Sequence, residues 1–235
     1  METTRRRLPR NTITENQRGI RVNPNTSYSN GSASRYPAAL EVRENEITGN
    51  IDWAVEIQDG DNPRQKELNF TDNWWGTTDG VNVAGRIRDQ SDDGGSAFVE
   101  FLPMWDSPPG ENPSPTRTGP DGQTFWNGRI DKTRTWSPGD QTTLVGKVIF
   151  TAGLTIEAGA TVEVVNDVLI AKGPLTATGT SDQPITFTSN AATKQPGQWG
   201  GVVLDAAQTD RIEHWRIRYA GRALAVKNIQ PSSPL

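Results

Sequence analysis

The sequence repeats itself. Asn11-Thr-Ile-Thr-Glu-Asn16 recurs as Asn45-Glu-Ile-Thr-Gly-Asn50, and a third copy reads Leu68-Asn-Phe-Thr-Asp-Asn73. Aligned, Ile13 falls on Ile47 and Phe70, Thr14 on Thr48 and Thr71, and Asn16 on Asn50 and Asn73. The first two units continue into a second alternating stretch, Ile20-Arg-Val22 and Val55-Glu-Ile57. Short period-2 strands that return at intervals of a few tens of residues describe a solenoid, one repeat per turn, with equivalent residues about 4.8 Å apart. Ile13, Ile47 and Phe70 then form an internal apolar ladder. The three asparagines stack as amides at a turn, because Asn tolerates left-handed backbone and its amide reaches the copies above and below. The wider first spacing is taken up by a loop, Asn23 to Pro37, of loop composition.

From Trp136 the same grammar returns with three strands per turn. Val148/Phe150, Leu154/Ile156 and Val162/Val164 are followed by Val168/Ile170, Leu175/Ala177 and Ile185/Phe187. A third turn opens at Val202/Leu204 and runs through Ile212 to Ile217 and Tyr219, where the inward register is ambiguous. Glycines 146, 153, 159, 173 and 179 punctuate the corners. The pattern predicts an all-β chain, a right-handed parallel β-helix rather than a sandwich, since Asn-Gly hairpin signals are scarce. Composition agrees: 23 Gly and 16 Pro in 235 residues, with only 33% apolar residues, suit many turns and little helix. Eight tryptophans and many short apolar runs argue against disorder. No stretch approaches the ~20 apolar residues of a membrane-spanning helix. The absence of cysteine excludes a disulfide framework and thiolate zinc.

Two segments resemble right-handed parallel β-helix proteins of the pectin-lyase-like superfamily, and more closely their repeat modules in bacterial and archaeal surface or secreted proteins. One is Leu154-Thr-Ile-Glu-Ala-Gly-Ala-Thr-Val-Glu-Val164 with Gly173 to Thr180, Pro184 to Ser189 and Gln198-Trp-Gly-Gly201, which is similar to the opening turns of such a helix. The other is Thr71-Asp-Asn-Trp-Trp-Gly-Thr-Thr-Asp79 with Ile87 to Asp89, Asp92-Asp93 and Val99 to Pro103, which looks like closing turns. The resemblance implies an extracellular or cell-surface location in a prokaryote. Here the closing segment comes first. The expected organisation is therefore residues 1–102 as closing-type turns, 103–128 as a linker with six prolines, and 129–235 as opening-type turns left open at the C-terminus. Two explanations stand: an excerpt of a tandem array cut across two modules, or a subunit whose open coil docks under the next.

Chemistry is sparse in the sequence. His214 is the sole histidine and sits in an alternating strand, so neither a multi-histidine metal site nor a histidine relay is expected. The dense carboxylates are Asp89, Asp92 and Asp93, and the loop Asp59-Gly-Asp61; both read as polar turns, with calcium the one cofactor that oxygen-rich loops of this kind suit. Trp74 and Trp75 carry two readings: a structural cap over the coil's end, favoured by the flanking Asn73 and Gly76, or one inward plug and one outward ring able to stack on a sugar. The first 22 residues carry six arginines against two glutamates, read as a solvated arm rather than a nucleic-acid contact. The expectation is a non-enzymatic structural subunit of an extracellular filament or surface array, polymerising with itself head to tail through Ile20, Ile47 and Ile57 on one copy and Ile212, Ile217, Leu224 and Val226 on the next. The alternative is a β-helix that binds or cleaves a polysaccharide.

Overall fold

The computed structural model describes residues 6–24, 40–59, 67–92, 94–205 and 209–228. The chain divides into two compact units, 1–120 and 121–235, here coil I and coil II. Both are parallel β-helices.

Coil I winds three parallel sheets. Arg6–Leu8, Leu40–Val42, Glu67–Asn69 and Phe98–Glu100 make one side; Thr12–Thr14 and Glu46–Thr48 a second; Arg18–Val22, Trp53–Ile57 and Ile87–Arg88 the third. Alternation buries every second residue, so Val42, Leu68, Phe70 and Phe101 fill one side of the interior and Val55, Ile57 and Ile87 another. The corners are left-handed: Arg10, Glu44 and Asp72 turn the chain with φ near 60°. Such corners leave amides and carbonyls without strand partners, and asparagine side chains take them up. Asn11 donates to Asn45 Oδ1 at 2.9 Å and Asn45 to Asn73 Oδ1 at 2.9 Å, across 34 and 28 residues of sequence. A second stack joins Asn16 to Asn50 at 3.2 Å.

This ladder corrects the sequence alignment. Ile13 does pair with Ile47, and Thr14 with Thr48. Asn73, however, stacks on Asn45 rather than Asn50, so Phe70 lies under Val42 and Trp75 takes the place under Ile47. The asparagine stack outvotes the chance likeness of Asn69-Phe70-Thr71 to Glu46-Ile47-Thr48, because a buried amide displaced from its column would lose its partners.

Coil II also has three sides. Arg134–Trp136, Leu154–Ile156, Leu175–Thr178 and Thr209–Glu213 stack in order on one. The long strands Thr124–Ile130, Thr142–Phe150 and Thr161–Ala171 each bend across the other two, carried on by Ile185–Ser189 and Trp215–Ile217 on one side and by Trp199–Asp205 and Leu224–Lys227 on the other. The bends fall at Gly128, Gly146 and Asn166, all with positive φ, where the pairing register shifts. That shift moves the inward pair from Val168/Ile170, as read in the sequence, to Leu169/Ala171, which lie under Val148 and Phe150. Phe187 likewise stacks on Val162, two places from the expected alignment. Leu175 and Ala177 lie on Leu154 and Ile156 as anticipated. The interior is predominantly apolar, with Trp126, Trp136 and Phe150 clustered at 5.4–6.2 Å between ring centroids. Gly201 is obligatory: its φ is +101° and a Cβ there would stand 1.6 Å from the Arg222 carbonyl oxygen.

The stretch 103–128 is more structured than a linker. Met104–Trp105 pairs antiparallel with Pro115–Thr116 in coil I, and Thr124–Ile130 is the first strand of coil II. The division falls between Pro120 and Asp121. Prolines 108, 109, 113 and 115 sit in a tight loop and at a two-residue strand, places that need no ladder N–H from them.

Candidate functional site

Among the described residues, the outermost turns of the two coils have a strand partner on one side only. In coil I, Arg6–Leu8, Thr12–Thr14 and Arg18–Val22 pair only with the turn that follows them among the described residues. Leu8, which heads the column over the buried Val42, is 45% exposed, and Ile13 and Ile20 are half-buried. In coil II, Thr209–Glu213, Trp215–Ile217 and Leu224–Lys227 pair, among the described residues, only with the turn before them. Leu224 and Val226 are 42% and 50% exposed, although Val202 and Leu204 directly beneath them are buried. Each coil thus has one end where its inner ladder reaches the surface.

Polar groups gather in three places. Glu56 is buried among Arg18, Arg21 and Arg88, at 3.3, 3.5 and 3.6 Å, with Arg21, Glu56 and Arg88 in one column across three turns. Asp89 lies in the position after Arg88, where burial pushes its carboxyl up to about 6 despite amide donors from Val99 at 2.7 Å and Ser91 at 2.8 Å. A cleft of about 540 Å3 is lined by Arg10, Asn11, Glu44, Asn112 and the half-buried Trp105.

Residues 128–226 match the family model described as the pectate-lyase like beta helix domain. Coil II is a pectate-lyase-like β-helix. No curated protein and no solved structure matches the sequence.

A β-helix of this kind specifies no chemistry by its fold, so function must be read from its surfaces. The residues singled out in the sequence are scattered over both coils. Ile47 and Ile57, expected at the coil I face, lie one turn inside it under Ile13 and Val22, and are buried; the face itself is Leu8, Ile13 and Ile20. Ile212 and Ile217 are half-buried in the outermost turn of coil II beside the exposed Leu224 and Val226. Trp75 is 2% exposed with its ring edge-on to Phe101 at 6.4 Å, which leaves no face for a sugar, while Trp74 is half-buried. Asp89 faces backbone amides and Asp92 accepts from the Asp89 amide, so the pair holds its own turn; Asp93 and Asp61 lie outside the described residues. Among the described residues no group of three His, Asp or Glu side chains is placed to hold a metal ion. His214 is an exposed left-handed corner. The sequence reading missed Leu8, set Ile13 in the inner ladder rather than at the face, and missed Glu56. The first two carried a signal, since each stands at an apolar position that recurs one repeat later.

Proposed function

We propose that the chain is a non-catalytic structural subunit of an extracellular filament or surface array, in which the open end of coil II on one copy stacks on the open end of coil I on the next. The observation that carries this reading is the pair of open ends, which bring Leu8, Leu224 and Val226 to the surface while the ladder residues directly below them are buried. An uncovered strand edge with bare core invites another chain. Two different, mutually fitting ends on one molecule make a heterologous contact that propagates instead of closing. Pectate-lyase-like domains are typically extracellular, which suits such an array. Negative-stain microscopy and light scattering across a concentration series are expected to reveal linear polymers; a monodisperse 25.7 kDa species at every concentration sinks the proposal.

A second reading, binding of a polysaccharide, is favoured by the Trp105 cleft, where an aromatic ring lies beside amide, carboxylate and guanidinium groups suited to sugar hydroxyls. Glycan-array binding that disappears in Trp105→Ala would support it.

A further inference from the structure

The two open ends share one template. Arg10 and Glu15 are the left-handed corners of the outermost turn of coil I, and His214 and Tyr219 hold the same places, equally spaced, in the outermost turn of coil II. The inward positions coincide as well. Leu8 corresponds to Ile212, Ile13 to Ile217, Ile20 to Leu224 and Val22 to Val226, and every pair, corners included, is 204 residues apart. The turn already stacked beneath Leu8 follows the same template, with corners at Glu44 and Gly49 and inward residues Val42, Ile47, Val55 and Ile57. Stacking in a parallel β-helix requires this identity of frame: corners that coincide, and strands whose alternation is in phase.

We infer that a second copy of this chain docks in a single register, with its Thr209–Lys227 turn placed as the turn before Arg6–Val22. This rests on the stacking proposal and names its joint: Ile212 against Leu8, Ile217 against Ile13, Leu224 against Ile20, Val226 against Val22. The asparagine ladders supply an independent geometric rule. Asn45 donates to the Leu8 carbonyl at 2.6 Å, Asn50 to the Ile13 carbonyl at 2.9 Å and Asn73 to the Val42 carbonyl at 2.8 Å. Each amide reaches the ladder residue that precedes the corner in the turn before it. Applied to the first turn, the rule sends Asn11 to the Ile212 carbonyl and Asn16 to the Ile217 carbonyl of the docked copy. Joined so, coil II of one copy and coil I of the next form one continuous β-helix. The register also places Arg222 over Arg18, whose guanidinium is already paired with Glu56 at 3.3 Å.

The chain has no cysteine, which permits a direct test. Thr12 and Arg216 are exposed and stand in register in this joint. Paired strands run about 4.8 Å apart, within disulfide reach, whereas a two-residue slip opens the gap to ~8 Å. T12C and R216C proteins, each checked for native circular dichroism, are mixed and mildly oxidised. A covalent dimer is expected at least tenfold more abundantly than from T12C mixed with R218C. Polymers that form with equal or inverted crosslinking overturn the register and leave stacking intact. Absence of both polymer and crosslink overturns the two together. A T12C/R216C double variant that closes only within one chain shows that the occupant is the chain's own coil and overturns docking of a second copy.

Discussion

Coil I and coil II solve one geometric problem with different chemistry. Coil I turns its corners on stacked asparagines and buries Asn45, Asn50, Asn73, Glu56 and Asp89. Coil II turns on positive-φ glycines, Asn166, His214 and Tyr219, and encloses a continuous apolar cluster from Trp126 to Leu204, with Asn127, Thr142, Thr143 and Ser189 as its buried polar residues among those described. Both enclose an apolar interior, but coil I adds buried polar groups whose lost bonds leave donors orphaned, whereas coil II rests more on volume, whose loss leaves cavities. The two coils should therefore fail differently, and amide exchange followed separately in residues 6–120 and 121–228 can tell them apart.

The largest expected effect is in coil II. Phe150→Ala opens a cavity beside Trp126 and Trp136 and should cost about 3–5 kcal/mol, with protection lost in coil II and retained in coil I. Asn45→Ala comes next. It severs bonds to Leu8, Arg43, Asn73 and Asn11, and about 3 kcal/mol should be lost from coil I alone. If both substitutions loosen both coils equally, the contrast between them is wrong.

Third is a dependence on pH confined to coil I. The Asp89 carboxyl is raised from 3.8 to about 6 in the fold, so between those values the native chain holds a proton the unfolded chain has released. Stability should accordingly fall as pH rises from about 4 to about 6, by up to ~3 kcal/mol, and hold level above that range. Denaturant titrations at several pH values measure the slope, and Asp89→Asn should abolish it. The smallest effect is at Glu56. Its arginine partners are nearly half exposed, so Glu56→Gln should cost about 1 kcal/mol and less at high salt.

Much of this architecture was legible before any coordinates. Ile13 over Ile47 and Leu154 over Leu175 follow from repeats in which corner and strand recur together. The errors arose where a corner intervened between strands. Asn166 adopts a left-handed conformation inside an apparently continuous apolar run and resets the alternation, which hides Leu169 and Ala171 behind Val168 and Ile170. Trp75 could have been placed from Asn73-Trp74-Trp75-Gly76 read against Asn45-Glu46-Ile47-Thr48, had the asparagine been taken as the anchor. The shared frame of the two open ends was harder to see. Its corners are Arg10, Glu15, His214 and Tyr219, residue types whose identity does not advertise positive φ.

The asparagine stack has a practical corollary. Asn11, Asn45 and Asn73 keep their contacts although the first interval is 34 residues and the second 28. Spacing between rungs is thus free to vary so long as the anchor residues recur, and the chain between Val22 and Leu40 is where the first interval takes up its excess. A foreign peptide grafted there would leave every rung where it is. If the chains polymerise, such a graft would be displayed once per subunit along the whole fibre, at a pitch set by the coil and independent of the inserted sequence.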